Sequence, residues 1–150
     1  MTESTQHQVV IVGGGVAGLE IASALGRRWR GGKPAGKPTV TLVDCDSAHV
    51  WKPMLHTIAA GTRDVSQQQT TYIGQAKEAG FTFQPGAFSG LSRDLRQVTL
   101  APLHAADGRL LIPERQLPYD TLVLALGSQA NDFGTPGVAE HAWKIDSRVQ

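Results

Sequence analysis

Cysteine is almost missing from this chain, which has Cys45 as its single thiol. One thiol excludes an internal disulfide and a zinc site built on several thiolates. The chain also lacks an excess of one charge, since 14 basic side chains accompany 13 acidic ones, and this argues against a nucleic-acid partner. No apolar run approaches the ~20 residues that a membrane-spanning helix needs. His7, His104 and His141 have no partners at metal-ligand spacing, and we expect no metal site.

What is present is typical of a soluble globular domain, with 41% hydrophobic and 18% charged residues. A length of 150 residues fits one domain, which would bury roughly 70% of its unfolded surface. The opening residues MTESTQHQ lack the charged and apolar regions of a signal peptide. We therefore expect a cytoplasmic protein, and peripheral attachment to the cytoplasmic face of the membrane through segments outside this chain stays open.

The first part of the chain predicts a strand, a helix and a second strand. Gln8–Val12 is short, β-branched and bounded by glycine, as buried parallel strands are. Val16–Trp29 has small and apolar residues at spacings of three and four, which predicts a helix. A basic Gly/Pro loop over Arg27–Pro38 then leads to the strand Thr39–Val43, which ends in Asp44. We expect the last helical residue, Trp29, and the thiol Cys45 to be buried.

The second part of the chain changes pattern. Short helices over Pro53–Gly61 and Thr70–Ala79 precede a strand that begins at Phe81. From Phe88 to Pro113, short β-rich segments alternate with turn signals such as the pair Asp-Gly, which predicts a small antiparallel meander. The run DTLVLALG returns to the continuous apolar pattern of a parallel strand, ended by Gly127. Together these patterns predict an α/β fold, a Rossmann-like three-layer domain with a small antiparallel β meander inserted.

Three glycines at the turn between the first strand and helix carry the main functional signal. In Gly13-x-Gly15-x-x-Gly18, the first permits a tight turn, the second lets a pyrophosphate approach the backbone, and the third lets helix and strand pack closely. The free N–H groups of the first helical turn, at Val16 and Ala17, suit an anion. A glycine-rich turn in another kind of α/β protein is the alternative on this evidence alone.

Asp44 lies at the end of the second strand, where a carboxylate can accept hydrogen bonds from both hydroxyls of a nucleotide ribose. It follows Gly18 by 26 residues, a longer gap than usual, and the Gly/Pro loop accounts for the excess. A solvated acid at a strand end is the alternative. An acid here argues against NADP, whose 2′-phosphate it would repel, but it does not separate NAD from FAD.

Three segments, joined by the β meander, resemble the N-terminal FAD-binding half of the pyridine nucleotide–disulfide oxidoreductase superfamily: VVIVGGGVAGLE, VTLVDCDSAHVWKPMLHTIAAG and YDTLVLALGSQANDFGTPGVAEHAWKID. Within that superfamily, the chain is most similar to type II NADH dehydrogenases, the NADH:quinone oxidoreductases. Ala125-Leu126-Gly127 stands where an ATG-like second FAD fingerprint occurs, with leucine in place of threonine.

The resemblance implies FAD at the glycine loop, Asp44 on its ribose, and the backbone at Phe88 on its adenine. Ala125 and Gly127 would lie against the phosphate side of the flavin. Lys52 is either a cation near the pyrophosphate or flavin, or a solvated surface lysine. The cofactor-binding set is therefore Gly13, Gly15, Val16, Ala17, Gly18, Asp44, Lys52, Phe88, Ala125 and Gly127.

The activity that the resemblance implies is hydride transfer from NADH to FAD, followed by reduction of a quinone. This chemistry belongs to the cofactor, and we predict no catalytic side chain. The disulfide-reductase branch relays electrons through a cysteine pair, whereas a chain with one thiol must pass them from the flavin directly to a small acceptor. We expect residues 1–150 to be only the N-terminal portion of the FAD-binding domain, without the NADH domain and the C-terminal part, and inactive alone.

Two other functions stay open at this point. One is an NAD-binding Rossmann module of a simple dehydrogenase, in which a continuing βαβ pattern would replace the meander. The other is a non-catalytic FAD-binding module that senses redox state. The acceptor, the oligomeric state and the choice between NADH and NADPH are not predicted.

Overall fold

A computed structural model describes residues 6–31, 36–49, 55–62 and 70–143 of the chain. Its elements are β1 (Gln8–Val12), α1 (Val16–Trp29), β2 (Thr39–Asp44), β3 (Ala48–His49), α2 (Leu55–Ala59), β4 (Thr70–Thr71), α3 (Tyr72–Ala79), β5 (Thr82–Pro85), β6 (Phe88–Ser92), β7 (Gln97–Leu100), β8 (Leu103–His104), β9 (Leu110–Ile112), β10 (Arg115–Pro118), β11 (Thr121–Leu124) and α4 (Val138–His141). None of the helices in these ranges is both long and apolar enough to cross a membrane.

Four parallel strands form the central sheet, in the order β11-β1-β2-β5. Along β1, Val9 and Ile11 pack in an apolar cluster on one face of the sheet, while Val10 and Val12 pack in a second cluster on the other face. Because both faces of this strand are covered, its sequence is a continuous apolar run rather than an alternating one. The predicted parallel strand is confirmed.

Helices α1 and α3 cover the first face of the sheet. The buried residues of α1 include Leu19, Ala22 and Gly26, whose spacing predicted the helix. The two helices approach closely at Gly26, where an added Cβ would lie 2.6 Å from the carbonyl oxygen of Ala79. Helix α3 then stops at Gly80, which has a left-handed conformation at φ 88°, as its sequence predicted.

An antiparallel sheet in the order β10-β7-β6 covers the second face. Val98 and Leu100 of β7 are fully buried there and pack in the cluster that contains Val10, Val12 and Val43. The layers are thus helices, a parallel sheet and an antiparallel sheet. This arrangement confirms the predicted three-layer α/β domain with an inserted meander.

The inserted meander differs in detail from the prediction. The segment RLLIP contributes β9, which pairs with β8 in a separate hairpin turned at Gly108. The third strand of the meander is β10, Arg115–Pro118, which the sequence did not predict. Its sequence RQLP has no β-branched residue, and only Leu117 packs in the apolar cluster.

Several local expectations were wrong. Helix α3 begins at Tyr72, because Thr71 caps it by accepting a hydrogen bond from the Gly74 N–H at 3.3 Å. Trp29 is exposed, with the Arg28 guanidinium 5.9 Å from its ring centre, and Cys45 is exposed beside the end of β2. The predicted helix start at Pro53 lies outside the described residues.

Candidate functional site

The predicted site lies at the carboxyl end of β1, where the order of the parallel strands reverses. After β1 the chain moves to β2 and β5 on one side and later returns to β11 on the other side. In open α/β sheets, such a reversal leaves a crevice outside the carboxyl ends of the strands, and ligands bind there. The loop Gly13–Gly15 connects β1 to α1 at this crevice.

Two of the three fingerprint glycines are required by the protein's own packing. Gly13 has φ +102°, and an added Cβ would fall on the backbone carbonyl of Ala125. At Gly18, an added Cβ would fall on the carbonyl oxygen of Gly13. The Gly13 N–H donates to the Val43 carbonyl at 2.8 Å, which ties the loop to the end of β2. These glycines therefore permit the turn and the close packing of helix on strand, as predicted from their spacing.

Gly15 differs from these two glycines, because no atom lies within 4 Å of the position that its Cβ would take. It is the N-cap of α1, without a side-chain cap, and the first turn has no acidic residue. The first intrahelical bond runs from the Leu19 N–H to the Gly15 carbonyl at 3.0 Å, so the N–H groups of Val16 and Ala17 precede the helical ladder. Open space, free donors and the positive end of the helix dipole together suit an anion.

Asp44 lies beside this loop and also braces it. Its Oδ2 accepts a hydrogen bond from the Gly14 N–H at 2.5 Å, and its Oδ1 accepts one from the Asp46 N–H at 2.8 Å. A carboxylate has about four acceptor positions, so each oxygen keeps capacity for a further donor. The half-buried carboxylate is thus both a loop support and an acceptor at the edge of the crevice.

The last residue of β2 and the two that follow it, Asp44, Cys45 and Asp46, bring three metal-ligand atoms within 4.8 Å of one another. Cys45 and Asp46 are exposed, and acidic clusters of this kind are common without a metal, so the grouping alone identifies no site. Although Cys45 is exposed, desolvation by the surrounding protein raises the pKa of its thiol, and the negative charges of Asp44 and Asp46 raise it further. The thiol is therefore a poor nucleophile near neutral pH.

Tyr72, at the start of α3, is a site residue that sequence reasoning missed. Its buried hydroxyl donates to the Gly14 carbonyl oxygen at 2.8 Å, and its ring fills the space that a Cβ on Gly14 would need. The ring also packs on Phe83, with centroids 5.0 Å apart. The available signal was Gly14 itself, because the fingerprint requires no glycine between Gly13 and Gly15.

His49 makes a second contact to the same carbonyl. Its Nδ1 lies 2.9 Å from the Gly14 oxygen, and since a carbonyl only accepts, this is a hydrogen bond when Nδ1 carries the proton.

Burial raises the pKa of Tyr72 above its ordinary value of 10.0, and the charges of Asp44 and Asp46 add to the rise. The Tyr72 hydroxyl therefore stays protonated and remains a donor.

The structure brings most of the other predicted residues to this edge. The Gly86 N–H donates to the Asp44 backbone carbonyl at 2.9 Å, which places the start of β6, at Phe88, next to the end of β2. The Ala125 N–H donates to Val12 at 2.8 Å, and Ala125 packs between Gly13 and Gly18. Gly127 follows with φ +74° and open space around it. Lys52 lies outside the described residues.

A cavity of about 290 Å³ lies elsewhere, at the opposite edge of the sheet. Gln6, Thr39 and Thr82, from the amino ends of β1, β2 and β5, line it together with Lys37. The glycine loop is at the carboxyl ends of these strands, so the cavity is remote from the predicted site.

Comparison with known proteins identifies the family that this chain resembles. The family described as pyridine nucleotide-disulphide oxidoreductase matches residues 7–150. A type II NADH:quinone oxidoreductase of Haemophilus influenzae is 42% identical over 142 residues, which is 95% of this chain and 31% of that protein. The chain therefore spans under a third of the length of this relative.

Two solved structures share the fold. NDH2 from Plasmodium falciparum in complex with NADH has a TM-score of 0.68 and 19% identity, over 93% of this chain and 27% of that one. The sulfide:quinone oxidoreductase of Aquifex aeolicus has a TM-score of 0.64 and 23% identity, over 89% of this chain and 27% of that one. At these identities, the likeness concerns the fold alone.

Proposed function

This chain belongs to the pyridine nucleotide-disulphide oxidoreductase family, and from that membership we propose that it binds FAD at the loop Gly13–Gly15. The observation that carries the proposal is the open space at Gly15, which lies beside helix N–H groups without an intrahelical partner. A diphosphate needs donors and positive potential in such a place, and the loop offers both.

The residues at the crevice fit the ADP half of FAD. The N–H groups of Gly15, Val16 and Ala17 would hold the diphosphate, and the remaining acceptor capacity of Asp44 would hold the ribose hydroxyls. The backbone at Phe88 would contact the adenine. On the other side of the loop, Ala125 and Gly127 would leave room for the flavin half, because neither carries a bulky side chain.

The elements that pack on the second face of the parallel sheet favour FAD as the ligand over the NAD of a simple dehydrogenase. A doubly wound dehydrogenase domain has helices on both faces of its sheet. Here the second face is covered by the antiparallel strands β6, β7 and β10. The predicted alternative of a continuing βαβ pattern is therefore not favoured.

We propose that the whole protein is an NADH:quinone oxidoreductase, of which this chain is the FAD-binding portion. The support is the 42% identity with the Haemophilus influenzae enzyme, which the chain matches over 31% of that enzyme's length. Bound FAD would accept a hydride from NADH and would then pass two electrons to the quinone. The residues at the crevice would hold and orient the cofactor, and the proposal requires no side chain of this chain as acid, base or nucleophile.

The binding proposal is tested by calorimetric titration of the chain with FAD, ADP, NAD and riboflavin. We expect FAD to bind, ADP to compete with it, and riboflavin, which lacks the diphosphate, to bind far more weakly. Failure of both FAD and ADP to bind would contradict the proposal. Tighter binding of NAD than of FAD would instead indicate the dehydrogenase module.

The activity proposal needs the protein that carries this chain together with its NADH-binding part. We expect NADH to bleach the flavin absorbance of that protein, and a water-soluble quinone to restore it. A protein that holds FAD but does not oxidise NADH would contradict the activity and would favour the redox-sensing alternative.

A further inference from the structure

We propose that Tyr72 is a positioning residue for the diphosphate, acting through the peptide group between Gly14 and Gly15. This inference rests on the proposed binding of FAD at the loop. The Tyr72 hydroxyl donates to the Gly14 carbonyl oxygen at 2.8 Å, and His49 Nδ1 lies 2.9 Å from the same oxygen. A carbonyl oxygen can accept two hydrogen bonds, so it can accept from His49 as well as from Tyr72 when His49 Nδ1 carries the proton.

The orientation of the Gly15 N–H follows from the geometry of this peptide. A trans peptide is planar, and its C=O and N–H point in opposite directions. Because the Gly14 carbonyl points at Tyr72 and the core, the Gly15 N–H points away from them. The Gly15 N–H is therefore directed outward, and Gly15 is the residue whose Cβ position has open space around it. Tyr72 thereby fixes a donor that it does not touch.

The peptide group that precedes Gly14 also makes a hydrogen bond to a side chain. Its N–H donates to Asp44 Oδ2 at 2.5 Å, so both peptide groups of Gly14 are bonded to side chains from β2 and α3. Gly14 has no side chain because the Tyr72 ring fills the space where its Cβ would be. This packing explains the middle glycine of Gly13-Gly14-Gly15, which the dinucleotide fingerprint leaves unexplained. The loop is thus set in its binding shape before any ligand arrives, which lowers the cost of binding.

The test compares Tyr72→Phe with Tyr119→Phe, which removes the other tyrosine hydroxyl of the chain. Tyr119 precedes β11 and adjoins Asp120, whose N–H donates to the Gln8 carbonyl at the amino end of β1, opposite the loop. Titration with FAD should show binding weakened about tenfold by Tyr72→Phe and less than about twofold by Tyr119→Phe. Equal affinities for wild type and Tyr72→Phe, or equal losses in both variants, would overturn the proposal.

Amide hydrogen exchange without ligand separates positioning from a general loss of stability. Tyr72→Phe removes the donor to the Gly14 carbonyl and should loosen the loop. The Gly14 N–H, which donates to Asp44 Oδ2, should then exchange faster by a larger factor than the N–H of Ile11, which lies in the central strand. The same acceleration at both positions would mean a merely structural role and would overturn the proposal. If wild type does not bind FAD, the proposed function fails, and this exchange comparison still decides the role of Tyr72 in the loop.

A measurement on wild type covers the case in which Tyr72→Phe does not fold. With ¹⁵N-labelled glycine, the Gly15 amide proton should shift downfield when FAD is added, as a proton donated to a phosphate oxygen does. The Gly80 amide, beside the cavity at the opposite edge of the sheet, is the internal reference. A Gly15 shift no larger than that of Gly80 would contradict the outward orientation of the Gly15 donor.

Discussion

The backbone carbonyl of Ala125 occupies the place that a side chain on Gly13 would take. Gly13 directly follows β1, and Ala125 directly follows β11, the parallel strand that comes last in the sequence. Their contact joins two segments that are distant in sequence at the reversal of strand order. The turn after β1 is consequently held by Ala125, at the end of β11, on one side and by the Asp44 carboxylate, at the end of β2, on the other.

Gly13→Ala should destabilise the chain by about 2 kcal/mol or more, because a Cβ collides with the Ala125 carbonyl at a residue with positive φ. Urea unfolding measures the loss. The matched control is Gly90→Ala, whose Cβ would make an ordinary 3.4 Å contact with Thr99. Similar unfolding midpoints for the two variants would contradict the packing described at Gly13.

Gly14→Ala should cost about 1–3 kcal/mol of stability, because its Cβ overlaps the Tyr72 ring. In a Tyr72→Ala background, which removes that ring, the same substitution should cost much less. A double-mutant cycle by urea unfolding gives this coupling directly. A cost that is unchanged in the Tyr72→Ala background would show that Tyr72 is not the reason for the glycine.

The parts of the fold that depend on local pattern were predictable from sequence. Strand β1 and helix α1 have the predicted limits, because burial on both faces gives an apolar run and a single buried stripe gives helical spacing. Asp44 and the glycine loop were placed correctly, since both lie at carboxyl ends of neighbouring parallel strands. The role of Asp44 on a ribose and that of Phe88 on an adenine stay predictions.

The parts that depend on distant contacts were not predictable. Strand β10 has a polar sequence and is ordered by pairing with β7. Tyr72 reaches Gly14 from a helix far along the chain. The additional glycine indicates a close approach at that position, but the sequence does not identify Tyr72 as the residue that makes it. Trp29 was expected in the core from helical spacing, but it lies in the last turn of α1, which extends past the sheet-facing stripe that ends at Gly26.

Stability should fall at alkaline pH through Tyr72. Its pKa is raised in the folded state above the ordinary 10.0, mainly by burial, so the unfolded chain releases this proton first as pH rises. The contribution is fully present below about pH 10 and is lost above it, by up to about 1.4 kcal/mol per pH unit. Urea unfolding between about pH 9 and about pH 11 should show a shallower decline for Tyr72→Phe than for wild type. Parallel declines would contradict the raised pKa.

The thiol of Cys45 should react slowly with a disulfide reagent near about pH 8, because its raised pKa leaves little thiolate. Asp46→Asn removes one of the negative charges that raise the pKa and should speed the reaction a few-fold. Asp94→Asn, in the exposed turn between β6 and β7, is the control and should not change the rate. Equal rates for wild type and Asp46→Asn would contradict the electrostatic contribution.

The central claim, that the loop after β1 receives the diphosphate of FAD, is tested most directly at Gly15. In Gly15→Val the new side chain enters open space, so stability should fall by no more than about 1 kcal/mol, the cost of losing a favourable N-cap residue. The same side chain would occupy the place of the diphosphate. Calorimetric titration with FAD should therefore show affinity reduced at least about a hundredfold, or more than about 2.7 kcal/mol, in a folded protein. A folded Gly15→Val variant that binds FAD within about threefold of wild type would contradict the claim.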